Sequence, residues 1–158
     1  MVEDSKRTGL RVLGILRDAD EEPAARVQST IDAIERAGLP AASQAGIFTD
    51  TEPSTGFFLL PDHERPGSIE TLCKEAVLDE PEAECVSAYL DCVERRRGSN
   101  WSTANRRDKA FVYSYMAALV RPTDDTEVAA WRDAWDLTAS VFQPLRLFLD
   151  RLTDLADP

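Results

Sequence analysis

The chain has 158 residues, enough for one domain, with 43% apolar and 30% charged residues, a balance that can bury a core and stay soluble. It excludes a disordered chain, a collagen-like repeat and a disulfide-framed miniprotein, and no window approaches the roughly 18 consecutive apolar residues of a membrane helix. Twenty-nine acidic against 18 basic residues give a net charge of -11, which argues against nonspecific coating of nucleic acid by the whole surface but leaves room for a local basic patch.

The first seven residues, Met1 to Arg7, carry charges with no apolar stretch behind them, so no secretory signal is expected. Leu10 to Leu16 is a short, mostly apolar run, and its length and branching predict a buried strand. Glu21, Glu22 and Pro23 then open a helix with acids in its first turn and proline at an early position. Val27, Ile31 and Ile34 share one face, and Gly38 followed by Pro40 stops it. A strand followed at once by a helix is the unit of α/β folds.

Residues 41–55 read as a loop in which Ile47 and Phe48 allow a short strand. Gly56 to Leu60 is the second strand, closed by Pro61-Asp62 and a turn from His63 to Gly67. Ser68 is placed to cap the next helix, with Ile69, Leu72, Cys73, Ala76 and Val77 on one face. From Pro81 onward the pattern is helical. Its apolar stripes are Val86, Tyr89, Leu90 and Val93, then Phe111, Val112, Tyr115, Met116 and Leu119, then Leu145, Phe148, Leu149 and Leu152. Trp131 and Trp135 sit four apart on a shorter helix between the last two. The expected architecture is an α/β N-terminal half and an all-α C-terminal half packed as a single domain over residues 1–158. Cys73, Cys85 and Cys92 form an odd set without a CxxC pair, which favours reduced thiols and a cytoplasmic protein.

Chemistry is expected first at Asp18-Ala19-Asp20, where the first strand ends, because open α/β sheets bind ligands at that end. Two carboxylates one residue apart can converge on a Mg²⁺, a hard cation that takes oxygen ligands and keeps several waters. The plainer reading makes Asp20 a helix cap and Asp18 a solvated acid. Glu70 comes second. With Ile69 at the centre of its stripe, Glu70 falls about 100° round the helix, on the border. Asp62 and His63 are sheet-end loop residues, and Asp124-Asp125 after Pro122 reads as a helix cap. The third feature is a basic corner, in which Arg95, Arg96, Arg97, Arg106, Arg107 and Lys109 face only Glu94 and Asp108 across a short stretch that includes Trp101. It is either a solvated corner balancing an acidic surface or a phosphate-contact zone in which Arg106 and Arg107 grip the backbone.

Taken in order, Leu13-Gly14-Ile15-Leu16-Arg17-Asp18-Ala19-Asp20, Leu59-Leu60-Pro61-Asp62, Pro66-Gly67-Ser68-Ile69-Glu70-Thr71-Leu72-Cys73 and Asp108-Lys109-Ala110 resemble an uncharacterised bacterial family of Toprim-like domains. That family is related to the nuclease half of the OLD (overcoming lysogenisation defect) proteins. The resemblance implies a small Toprim-like sheet with flanking helices and a Mg²⁺- or Mn²⁺-dependent phosphodiester site. Asp18 and Asp20 match its metal ligands, Glu70 a further ligand or catalytic acid, and Lys109 a cation beside the scissile phosphate. Such metals polarise the phosphoryl oxygen and generate the attacking hydroxide.

The pattern departs from the family at one place. Toprim domains open on a strand ending in glutamate and a helix before the D-x-D strand, and a crossover between parallel strands needs a dozen or more residues. Only Met1 to Gly9 precede that strand here, so Glu3 is not expected to be that glutamate and the usual first strand is expected to be missing. The alternative expectation is therefore a non-catalytic module that works with a protein partner such as an ATPase. A haloacid-dehalogenase-like phosphatase also opens on an apolar strand ending in D-x-D. It wants Thr or Val two residues after the second Asp, where this chain has Glu22.

Overall fold

Val12 and Ile15 are branched, and the stretch they sit in runs straight into a polar turn. In the computed structural model it forms a strand, β1 (Val12–Asp18). The structure describes residues 9–98, 101–119 and 134–157. Glu3, the Asp124-Asp125 cap and Trp131 lie outside them. The fold is α/β: β1 is followed by α1 (Pro23–Arg36), β2 (Ser54–Leu60), α2 (Ile69–Glu75), α3 (Pro81–Arg97), α4 (Ala104–Ala118), a 3₁₀ turn (Ser140–Phe142) and α5 (Gln143–Ala156). None of these helices is long and apolar enough to cross a membrane.

The chain divides into two compact units, one of Met1–Arg65 with Pro144–Pro158 and the other of Pro66–Gln143. In the first, β1 and β2 pair in parallel, with Gly14 opposite Gly56 and Asp18 opposite Leu60. Alternate side chains leave a strand on opposite faces, and the two faces here have different covers. Ile15, Phe57 and Leu59 pack with Val27, Ile31 and Ile34 of α1. On the other face Phe58 lies 5.6 Å from Phe148 of α5, which stacks on Phe48 at 4.7 Å. All seven residues of β2 are buried. β1 is only half-covered, with Leu16 47% exposed, so the strand expected at Leu10 to Leu16 forms but is not the buried one.

Pro23 stands at the start of α1, where a missing N–H costs nothing. No acid lies in its first turn, because Glu21 and Glu22 fall just before it. Gly38 ends the helix region with a positive φ of 68°, a conformation glycine adopts without a Cβ clash. Phe48 makes a single antiparallel bridge to Gly56 and no strand.

The second unit is helical. Val77, Ala83, Val86, Leu90, Phe111, Val112, Tyr115, Met116 and Trp135 form its core with Cys73. Tyr89, assigned to the α3 stripe by spacing, is 59% exposed, and Ala83 takes its place inside. Trp135 is buried but lies in irregular chain, not on a helix. The final amphipathic helix belongs with the sheet and not with the helical half. Periodicity marks which face of a helix is apolar, and α5 uses that face against Phe48, Phe58 and Gly14.

Candidate functional site

In the first unit the chemistry gathers where β1 ends. Asp18 is its last residue, opposite Leu60, and Ala19 continues the pairing through its N–H to the Leu60 carbonyl at 2.9 Å. Ala19 is fully buried, which anchors the chain between the two aspartates. Asp20 then turns with a φ of 54°, an uncommon conformation for a residue with a side chain and one that aspartate tolerates. Its carboxylate is ion-paired with Arg26, one turn into α1. Asp20 therefore does not act as the helix cap; Glu22 occupies that position, without a side-chain hydrogen bond. Arg17, one residue before Asp18, reaches α1 and donates to Ser29 Oγ at 3.1 Å and Thr30 Oγ1 at 3.2 Å. The sheet end is thus held to the helix by two arginines. Among the described residues, no three or more His, Cys, Asp or Glu side chains gather to hold a metal ion.

At the end of β2, Asp62 accepts from the N–H groups of Glu64 (3.2 Å) and Arg65 (2.9 Å) and pairs with the Arg65 guanidinium at 2.5 Å. Partial burial opposes ionisation, but these bonds outweigh it and hold the carboxyl below its ordinary range. His63 folds back on the strand. Its Nδ1 accepts from the Leu59 N–H at 3.3 Å and its ring lies edge-on to Phe58 at 4.1 Å. Burial keeps the imidazole neutral to lower pH than usual, against the pull of Asp62 and Glu64. Both residues are fastened to the turn that ends β2.

In the second unit, α2 and α4 meet along a polar seam. Lys109 Nζ lies 3.1 Å from the Glu70 carboxylate. Next to it, Asp108 accepts from Thr71 Oγ1 at 2.9 Å and pairs with Lys74 at 2.7 Å. Thr71 Oγ1 also accepts from the Ser68 N–H, which fastens the start of α2. Glu70 is not on a border: it is buried, whereas Ile69 is 38% exposed. The apolar face of α2 is centred nearer Leu72 and Cys73, and that rotation carries Glu70 inward. Asp108 was legible only as one letter of a short motif and as a counter-charge. Its burial at 7% exposure makes it the hub of the seam.

Part of the basic corner is compensated from within. Arg107 pairs with Asp91 at 2.6 Å and with Glu94 at 3.7 Å. Arg97 lies over the Trp101 ring, 5.4 Å from its centroid. Arg106 is exposed in the first turn of α4, where its N–H is capped by Thr103. Arg95 and Arg96 are exposed in the last turn of α3, where cations favour the negative end of the helix dipole. Asp91, one turn before that cluster, lies outside the stretch in which the bases face only Glu94 and Asp108. All three cysteines are free thiols, with Cys73 buried and Cys85 and Cys92 exposed.

A family model described as "Protein of unknown function (DUF3226)" matches residues 1–154. No curated protein and no solved structure matches the chain.

Proposed function

The chain belongs to that family, whose description assigns no activity, and from its own residues we propose that it is a divalent-metal-dependent enzyme acting on nucleic-acid phosphodiesters. The observation that carries this reading is the sheet end. Asp18 closes a parallel strand at its carboxyl end, and Asp20 follows two residues later at a sharp turn. Ligands of open α/β sheets bind at that end. A Mg²⁺ or Mn²⁺ commonly takes one or two protein carboxylates and completes its shell with waters and substrate phosphate oxygens. Two aspartates are therefore a sufficient protein share. When bound, such an ion polarises a phosphoryl oxygen and lowers the pKa of a bound water. Arg26 pairs with the Asp20 carboxylate, and Arg17 ties the end of β1 to Ser29 and Thr30 of α1. The resemblance assigns Lys109, 58% exposed at its side chain, to phosphate, and Glu70 to a further metal ligand or catalytic acid. The order of these residues is that of the Toprim-like domains the sequence resembles.

A second reading, a non-catalytic module that docks on a protein partner such as an ATPase, is favoured by one observation. The bases nearest the seam already have acids: Arg107 has Asp91 and Glu94, and Lys109 has Glu70.

One experiment separates the two. Purified protein is assayed for DNA binding and cleavage with Mg²⁺ and Mn²⁺ at low and high salt, beside Asp18→Asn and Lys109→Ala. The enzyme reading expects metal-dependent cleavage that Asp18→Asn abolishes together with Mn²⁺ binding. Lys109→Ala lowers the cleavage rate more than DNA affinity, because a cation matched to transition-state charge acts mainly there. Absence of both binding and cleavage at low salt defeats it in favour of the docking module.

A further inference from the structure

α3 buries Ala83, Val86 and Leu90 in the core of the helical unit, and its opposite face is left to solvent. Cys85, Tyr89 and Cys92 recur there at spacings of four and three residues, so they share one stripe down two turns. Both cysteines are exposed, Tyr89 is 59% exposed, and Ala88 beside it is exposed as well. Cysteine packs as a small hydrophobe, which makes the stripe apolar on a chain whose net charge is -11. Charge stands at its two ends instead. Glu82 and Glu84 lie in the first turn of α3 and Arg95 and Arg96 in the last, all four exposed. Among the described residues, none of these four side chains has an ion-pair partner. The helix dipole favours acids at the start and bases at the end, but it gives no reason to leave an apolar stripe in water between them.

We propose that this face of α3 pairs antiparallel with the same face of a second copy of the chain. A two-fold axis sets a patch against itself, so the patch must be complementary to its own reversed image. The stripe meets that condition in charge and in shape. Tyr89 is the middle residue of α3. With the axis beside it, Glu82 and Glu84 of one copy come level with Arg95 and Arg96 of the other. A parallel pair would instead set acid against acid and base against base, which is repulsive. Cys85 lies four residues before Tyr89 and Cys92 three after it. Each Cys85 therefore comes within one residue's rise, about 1.5 Å along the helix, of Cys92 in the other copy. Tyrosine supplies apolar area while its hydroxyl stays wet. The overall negative charge opposes association at long range, but salt screens it beyond about 8 Å under physiological conditions, and the acid–base contacts are made closer than that. One helix face per copy buries less than the roughly 1,600 Å² of a standard interface. The dimer is accordingly weak, and at about 1 µM the copies separate and leave both thiols open.

Sedimentation equilibrium of the full chain is expected to show monomers and dimers with a dissociation constant below about 0.5 mM. Glu82→Arg/Glu84→Arg and Arg95→Glu/Arg96→Glu each keep the fold, because the side chains are exposed, and circular dichroism checks it. Each double variant self-associates at least about tenfold more weakly than the parent. An equal mixture of the two recovers association, since each copy then presents the charge that the other lacks. A second measurement fixes the direction. Cys92→Ser leaves Cys85 as the exposed thiol, Cys85→Ser leaves Cys92, and Cys73 is buried in both. A short bismaleimide should join these two variants into a covalent dimer when they are mixed and should join neither to itself. Four outcomes overturn the proposal: a chain that stays monomeric at about 0.5 mM, charge variants that associate as the parent does, a mixture that recovers nothing, or cross-linked dimers of either cysteine variant alone. Monomers at that concentration would leave the stripe to a partner of another kind.

Discussion

Lys109 Nζ sits 3.1 Å from a Glu70 carboxylate that is only 11% exposed, whereas the lysine side chain is 58% exposed. Two residues singled out separately in the sequence thus meet across α2 and α4, but on unequal terms. The carboxylate has given up much of its hydration and the ammonium has not.

That asymmetry fixes the order of two variants. Lys109→Ala removes the counter-charge and leaves a buried carboxylate, which is expected to cost about 1–2 kcal/mol. Glu70→Gln leaves no charge buried, since the Lys109 side chain is exposed, and costs about 0–1 kcal/mol after allowance for solvent screening. The double variant should be no less stable than Lys109→Ala alone. Urea unfolding followed by circular dichroism reads all three. A larger loss for Glu70→Gln than for Lys109→Ala would mean that the seam and not the charge pair holds Glu70 in place.

Burial and the neighbouring Glu70 carboxylate push the Cys73 thiol up to about 12. Thiolate is the reactive form, so at pH 8 Cys73 has almost none, while Cys85 and Cys92 are exposed. Native protein treated with iodoacetamide at that pH should take up two labels quickly. The third should appear only after denaturant is added, and mass spectrometry of peptides should place it on Cys73. Glu70→Gln should speed that third label modestly, since one of the two causes of the shift is gone. Rapid uptake of three labels by native protein would contradict the buried face of α2.

The fold was legible where a local pattern has one structural meaning, and illegible where the meaning depends on a partner. Pro23 and Gly38 bracket α1 because one lacks an N–H and the other accepts positive φ. α4 runs for 15 residues, about four turns, and the stripe of Phe111, Val112, Tyr115 and Met116 is buried as its spacing predicts. α2 has seven residues, too few turns for spacing to decide between Ile69 and Leu72 as its centre, and that choice decides whether Glu70 falls on the border or inside. α5 was found but not its neighbour, because an amphipathic helix looks the same against a sheet or a bundle. At the sheet end the sequence located Asp18 and Asp20, but Arg26 appears as the partner of Asp20 only once the chain turns at φ 54°. Asp91 and Asp108 acquire their roles from residues distant in the chain, which no local window contains.

The His63 imidazole gives the protein a pH dependence of defined sign. Its Nδ1 accepts from Leu59 and burial lowers its pKa below the ordinary 6.5, although Asp62 and Glu64 act to raise it. The unfolded chain therefore binds this proton more readily than the folded one, and stability rises with pH across that interval. The contribution is complete above pH 6.5 and is lost as pH falls through the lowered folded value. Asp62 contributes in a separate window, below its ordinary 3.8, because its folded carboxyl is also held low. His63→Asn, which keeps a residue tolerant of the observed φ of 75°, should flatten the stability profile just below pH 6.5. It should leave the steep loss in stronger acid. Thermal unfolding at half-unit pH steps distinguishes the two windows.

Gly14 and Gly56 face each other in the register of β1 and β2, yet a methyl group on each meets a different obstacle. At Gly14 the added carbon would lie 2.9 Å from Leu152 Cδ2, the end of a flexible side chain on α5. At Gly56 it would lie 2.6 Å from the Phe48 ring and 2.8 Å from the Ile47 carbonyl oxygen, which is backbone and is held by the adjacent bridge. Alanine also recovers about 0.5–1 kcal/mol that glycine forfeits in chain entropy. Gly14→Ala should therefore stay within about 1 kcal/mol of the parent, since Leu152 can rotate away. Gly56→Ala should lose about 2–3 kcal/mol from overpacking that side-chain motion cannot relieve. Truncating the opposing side chain sharpens the contrast. Any penalty of Gly14→Ala should vanish in a Leu152→Ala background, whereas Phe48→Ala should not rescue Gly56→Ala, because the Ile47 oxygen stays where it is. Chemical denaturation of the four single and two double variants gives both coupling energies. Full rescue of Gly56→Ala by Phe48→Ala would show that the ring and not the backbone sets the spacing along β2.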